Sequence, residues 1–113
     1  MAKPSRGEIW SVHLDPTRGR EQAGHRPGLV VSVDQFNHGP AGLVVMLPLT
    51  SRDKGIPLHV AIEPPEGGVK ARSFIKTEDI RSVSTERLAS CYGRVSMRTM
   101  DAVVERIRIL LDV

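Results

Sequence analysis

Gly19-Arg20-Glu21-Gln22-Ala23-Gly24-His25-Arg26-Pro27 runs without a break into Gly28-Leu29-Val30-Val31. The first nine positions crowd two arginines, an acid, an amide and a histidine between glycines that allow sharp turns or close approach. Pro27 fixes its own φ and pushes Arg26 towards an extended backbone. The polar loop therefore ends by presenting an arginine at the mouth of a strand, and Leu29–Val33 is the β-branched run expected to form that strand in the core. A chemically dense loop anchored on a rigid strand is where binding groups are commonly mounted.

Upstream, Glu8-Ile-Trp-Ser-Val-His-Leu14 alternates, with Ile9, Ser11 and His13 on one face and Trp10, Val12 and Leu14 on the other. That is a strand pattern, closed by Asp15-Pro16. Downstream, Asp34–Gly42 with Asn37-His38-Gly39-Pro40 reads as a turn, and Leu43–Leu49 as a second apolar strand, broken late by Pro48. Leu58–Ile62, Ser73–Lys76, Ile80–Val83 and Tyr92–Val95 are further short strand candidates, with a turn at Pro64-Pro65-Glu66-Gly67-Gly68. Short strands at this spacing predict a small barrel or sandwich. From Ser96 the period changes: Met97, Met100, Val103, Val104, Ile107, Leu110 and Leu111 form one helical stripe, with Ser96 as N-cap. Ile109 lies off that stripe and suggests a second contact with a partner chain. The expected class is mainly β (α+β), with a C-terminal helix.

The 113 residues are too few for two independent cores, so one domain over 1–113 is expected. A hydrophobic content of 40% against 26% charged residues excludes a disordered chain. Trp10, Tyr92, Phe36 and Phe74 are the complete aromatic set, too few for a broad base-stacking platform. Trp10 and Phe36 are expected in the core. A net charge of +3 leans mildly towards anionic partners. Cys91 is the only cysteine and the four histidines are dispersed, which argues against a disulfide or a metal site. Cys91 is expected to behave as an inert small hydrophobe. No long apolar run or signal-peptide core is present, so a cytoplasmic location with no membrane association is expected.

Arg6-Gly7-Glu8-Ile9-Trp10, Leu14-Asp15-Pro16, Gly19-Arg20-Glu21-Gln22, Gly24-His25-Arg26-Pro27-Gly28-Leu29-Val30-Val31 and Pro48-Leu49-Thr50-Ser51 occur in this order. The set resembles the MazF/PemK toxins of type II toxin–antitoxin modules. The similarity continues more weakly through Glu78-Asp79-Ile80-Arg81-Ser82-Val83 into the final helix. The resemblance implies a compact SH3-like barrel of the MazF/CcdB kind with a C-terminal helix, usually a homodimer. It further implies a sequence-specific endoribonuclease that cuts single-stranded RNA without metal or cofactor. The partner it implies is a cognate MazE-like antitoxin with an acidic segment. The family's catalytic arginine falls on Arg26, its active-site threonine on Thr50 and its acidic loop residue on Glu21. Where the family often carries glutamine this chain has Asp79, which only accepts hydrogen bonds when ionised.

The chemistry suits these residue types. RNA carries its own nucleophile, the 2′-hydroxyl, so an enzyme must orient the strand, stabilise phosphoryl charge and help protons move. Arg26 offers a planar fork that stays charged at any working pH. A hydroxyl at Thr50 suits a phosphoryl oxygen, although strand-ending Ser/Thr residues often bond local backbone instead. Glu21 either positions Arg26 or contacts substrate. Arg20, Gln22, His25, Ser51, Arg52, Lys54 and Asp79 are the candidates for holding the strand. The alternative is a non-catalytic CcdB-like toxin that binds a protein target such as DNA gyrase, which would have no need of Arg26 and Thr50 together.

Overall fold

A computed structural model of the chain describes residues 3–13 and 25–113. Among these residues the strands are β1 (Glu8–His13), β2 (His25–Val30), β3 (Leu43–Thr50), β4 (His59–Ile62), β5 (Ser73–Lys76), β6 (Arg81–Ser84) and β7 (Leu88–Arg94). Two α-helices join them, α1 (Asp34–Asn37) and α2 (Met97–Leu111). The expected mainly β chain with a terminal helix is what folds. The hydrogen-bonded order is β4-β5-β3-β2-β1-β7, with β6 also on β3. Among the described residues the ladder does not close from β4 back to β7.

The longest strand, β3, organises this sheet. Near its start Leu43–Met46 pair with Ser84–Arg81 of β6, while near its end Leu49 and Thr50 pair with Ile75 and Phe74 of β5. Its other edge carries β2, with Gly28 opposite Pro48 and Val30 opposite Met46. All these pairings are antiparallel, so alternate residues of β2 and β3 share a face. One face holds Ile9, Leu29, Leu47 and Leu49, packed with Val103 of α2; the other holds Val12, Val30, Met46 and Val83, with Trp10 against them. The alternation expected in β1 is thus explained by two apolar surfaces, one on each side.

Several boundaries and burials differ from expectation. The strand expected at Leu29–Val33 is His25–Val30, because His25 and Arg26 pair with His13 and Val12 of β1. Asp34–Gly42, expected as a turn, contains the helical turn α1. There the buried Asn37 side chain bonds the Ser32 hydroxyl and also donates to the Ser32 carbonyl at 2.9 Å. With Asn37 turned inwards, Phe36 is 38% exposed rather than in the core. Strand β7 begins at Leu88, earlier than expected, because it lies at the end of the strand order and most of its side chains are exposed. Without a second apolar face the period-two signal is lost.

Helix α2 forms where the period predicts it, and the Ser96 hydroxyl accepts from the Thr99 amide at 3.1 Å. Its buried stripe is rotated from the expected one. Thr99 and Val103 are buried and Met100, Ala102 and Ile107 pack against the core, whereas Met97 is 81% and Leu111 50% exposed. The cause is a polar anchor: Thr99 Oγ1 donates to Glu66 Oε2 at 2.5 Å, drawing a threonine towards the sheet. Ile109 lies off the buried face, as expected. No helix among the described residues is long and apolar enough to cross a membrane.

Candidate active site

β2 delivers Arg26 and β3 delivers Thr50. The β2–β3 pairing ends with Gly28 opposite Pro48, and Arg26 and Thr50 each lie two residues beyond that pair, so strand alternation puts them on the same face as Gly28 and Pro48. The two residues, with Ser51, Arg52, Lys54 and Asp79, line one open cleft of about 770 Å³. Six of the sequence-predicted site residues therefore converge from three separate segments. The loop residues Arg20, Glu21 and Gln22 lie outside the described residues.

Thr50 has one local bond, in which its Oγ1 accepts from the Arg52 amide at 3.2 Å. That is the local backbone contact expected of a strand-ending threonine. It occupies one lone pair and leaves the hydroxyl proton available as a donor to whatever enters the cleft. Beyond Thr50 the chain turns, with Asp53 Oδ1 accepting from the Gly55 amide at 3.0 Å. This turn carries the exposed Arg52 and Lys54 along the rim.

His25 does not line this cleft. Its Nδ1 is 3.0 Å from the hydroxyl of the buried Ser11, and its Nε2 is 3.4 Å from Nδ1 of His13. The two rings meet edge to face with centroids 5.0 Å apart. His25 is thus engaged with β1, on the strand face away from Arg26.

The structure adds residues that the sequence reading did not single out. Lys76 and Arg81 line the same cleft, which among the described residues makes five cations around a single acid, Asp79. Both Asp79 carboxylate oxygens accept from Arg81 Nη2, at 2.8 and 2.9 Å, and Lys76 Nζ is 3.6 Å from the same carboxylate. A second, smaller cleft of about 320 Å³ opens on the other side of Arg26 and Arg81, floored by Val12, Gly28, Met46 and Val83. Arg87 stands at its edge. Arg81 is only two residues from Asp79 in sequence, but Asp79 ends the 3-10 turn Thr77–Asp79 and Arg81 begins β6, so no strand period announced their contact.

Cys91 is exposed on β7 instead of packing as a small hydrophobe. Partial burial of its sulfur, reinforced by Glu8, pushes the thiol pKa up and keeps it in the unreactive protonated form. Among the described residues no three His, Cys, Asp or Glu side chains converge in a way that would hold a metal ion. The chemistry available in the cleft is charge-based: a strong cation and a hydroxyl donor line one opening rimmed by further cations.

Comparison with known proteins gives concordant results. The family described as PemK-like, MazF-like toxin of type II toxin-antitoxin system matches residues 5–111. Endoribonuclease MazF9 of Mycobacterium tuberculosis is 38% identical over 112 residues, covering 95% of each chain. Endoribonuclease toxin MazF of Escherichia coli K12 is 32% identical over 96% of this chain and 94% of its own. Among solved structures, MazE-MazF (Form-II) from Deinococcus radiodurans superposes with a TM-score of 0.85 at 27% identity, covering 99% of this chain and 98% of that one.

Proposed function

Because the chain belongs to the PemK-like, MazF-like toxins of type II toxin–antitoxin systems, we propose that it is a metal-independent endoribonuclease that cuts single-stranded messenger RNA at a preferred sequence, without the ribosome. The toxin domain spans residues 1–113. The observation that carries this reading is the position of Arg26 and Thr50 on one open, cationic cleft. A toxin that only bound a protein target would have no need of that pair, so the CcdB-like alternative is not favoured.

The reaction uses the substrate's own nucleophile. The 2′-hydroxyl attacks the adjacent phosphorus, the bond from phosphorus to the 5′-oxygen breaks, and the products are a 2′,3′-cyclic phosphate and a 5′-hydroxyl. One proton leaves the 2′-oxygen and one reaches the departing 5′-oxygen. Charge builds on the non-bridging oxygens, and Arg26 answers it with paired donors that need no reorganisation. Thr50, free to donate its hydroxyl proton, supplies a further bond to the same group. Glu21, five residues before Arg26 in the sequence, is assigned to positioning that arginine or to meeting the substrate. Arg52, Lys54 and Ser51 hold the flanking strand, and Arg20 and Gln22 are assigned to its approach; His25, turned towards β1, is not.

The partners follow from the same surface. A cleft with five cations and one acid suits an acidic, partly disordered antitoxin segment that orders on binding and competes with RNA. The exposed Met97, Ile109 and Leu111 of α2 support a two-fold homodimer, which a strictly monomeric mass at micromolar concentration would exclude. Its working place is the cytoplasm, where messenger RNA is found.

The deciding experiment incubates the purified protein with a long RNA in the presence of chelator and maps the 5′ ends of the fragments. Cuts at a recurring motif with 5′-hydroxyl ends are expected, and a single 2′-deoxy substitution at the cut nucleotide should abolish cutting. Cleavage of the deoxy substrate at the normal rate would refute the mechanism.

A further inference from the structure

Asp79 is an anomaly in the cleft. Every other ionisable group lining it among the described residues is cationic, and a bare carboxylate there would repel a polyanion. Its contacts explain its presence. The 3-10 turn at Thr77–Asp79, anchored by the fully buried Thr77, leads through Ile80 into β6, so that Asp79 closes the turn and Arg81 opens the strand. Both Asp79 oxygens are taken by a single nitrogen, Nη2 of Arg81. Nη1 and Nε of Arg81 have no partner among the described residues. Arg81 is 51% exposed and faces both clefts, as Arg26 does.

The two arginines are not redundant. Arg81 pairs with Met46 and Thr50 lies four residues further along β3, a Cα separation of about 13 Å at strand rise. Arg26 comes from β2 and Arg81 from β6, on opposite edges of β3, so a strand lying along the cleft can meet each guanidinium with a different phosphate. A long exposed arginine also loses considerable side-chain freedom when it binds, and a carboxylate that holds it in advance removes part of that cost.

We propose that Asp79 is a positioning residue that pre-orders Arg81, and that Arg81 anchors a backbone phosphate next to the one being cut. The inference rests on the endoribonuclease reading above and assigns a phosphate subsite within it. Asp79 therefore does not read a base. Lys76 Nζ, 3.6 Å from Asp79 Oδ2, helps neutralise the carboxylate so that the bound strand meets little repulsion.

Simple electrostatics gives the opposite sign from positioning, and this makes the test sharp. Affinity is measured for an RNA oligonucleotide carrying the mapped cut site with a 2′-deoxy nucleotide at the cut, using wild type, Asp79→Ala, Arg81→Ala and the double variant. Arg81→Ala should weaken binding roughly tenfold, as for loss of one charge-assisted contact. Asp79→Ala should weaken it by a similar or smaller factor, and the double variant should bind no worse than Arg81→Ala. Asp79→Asn, which keeps one acceptor oxygen, should fall between wild type and Asp79→Ala, and it decides the comparison if the alanine variant does not fold. The motif mapped on long RNA should be unchanged in every active variant, since phosphate contacts act uniformly across sequences. Tighter or unchanged binding by Asp79→Ala, losses that multiply in the double variant, or a shifted motif would each overturn the inference. Wild-type protein that binds no RNA would overturn the endoribonuclease reading itself, whereas normal wild-type cutting with any of those variant results would overturn only the role of Asp79.

Discussion

Arg26 owes its position to the residue after it. Pro27 favours an extended backbone at Arg26, and the register with β1 sets Arg26 opposite Val12, whose side chain belongs to the apolar floor of the smaller cleft. A guanidinium held on a paired strand is preorganised in a way that one on a free loop is not. Arg26→Ala should therefore cost on the order of 10²–10³ in cleavage rate, the usual loss when one preorganised donor to developing charge is removed. Arg26→Lys should recover part of it, because a point charge replaces a paired fork. Thr50→Ala should also cut slowly while still binding the 2′-deoxy oligonucleotide, since most phosphate contacts lie elsewhere in the cleft. Single-turnover cleavage beside equilibrium binding separates these effects, and full activity of Arg26→Ala would remove Arg26 from the mechanism. Arg26 and Thr50 were legible in the sequence because their segments carry ordered motifs. Arg81 and Lys76 were not singled out, because a cation in a short strand looks like any solvated charge until the topology folds it beside Asp79.

Helix α2 shows what an element can hide from its own periodicity. Counting apolar residues put Met97, Leu110 and Leu111 on the buried stripe, but the face that packs is fixed by a polar contact made outside the helix. Glu66, in the turn Glu66–Gly68, accepts from the Ser96 amide at 3.0 Å, from the Ser96 hydroxyl at 3.2 Å and from Thr99 Oγ1 at 2.5 Å. A distant carboxylate thus completes the N-terminus of α2 beyond its own Ser96 cap. No sequence period reports a contact between residues 30 or more positions apart, whereas Ser96 as the cap was legible because capping is local. Strands β3 and β5 were legible for the matching reason: each is a compact apolar run or one bounded by turn residues. Partial burial alone would raise the Glu66 pKa, yet the bonds from Thr99 and Ser96 outweigh it and hold the carboxyl below its ordinary value of 4.5. The sign for stability follows: the contribution is fully present above the unfolded value and is lost as pH falls through the lower folded value. Glu66→Gln should accordingly lower stability by about 1 kcal/mol at neutral pH, the modest end for bonds to a partly solvated charge. The gap between wild type and variant in urea unfolding should narrow progressively as the pH falls below 4.5, the ordinary carboxyl value. A gap that stays constant across that range would mean that ionised Glu66 does not support the helix.

At the scale of the whole molecule, a net charge of only +3 conceals a strongly polarised surface. Arg26, Arg52, Lys54, Lys76 and Arg81 gather around one cleft, with Asp79 the only acid lining it among the described residues, so much of the usable positive field is concentrated at the proposed cutting site. The composition could not reveal this, because the five cations come from four segments that only the β2-β3-β5 pairing and the β6 branch bring together. Asp79 offsets about one of the five charges, leaving roughly four phosphates' worth of counterions to be released when a strand binds. For single-stranded nucleic acid each neutralised phosphate contributes about −0.7 to the slope of log affinity against log salt, which predicts a slope near −3. Replacing Arg52 and Lys54 together by glutamine should flatten it by about 1.4 units, and should weaken binding most at low salt. An acidic antitoxin segment seated on the same cations should show the same reduced salt dependence in that variant. Titrations of the uncleavable oligonucleotide from low to moderate salt measure all three quantities. A wild-type slope shallower than about −1, or one that the double replacement leaves unchanged, would mean that the strand does not run along this rim.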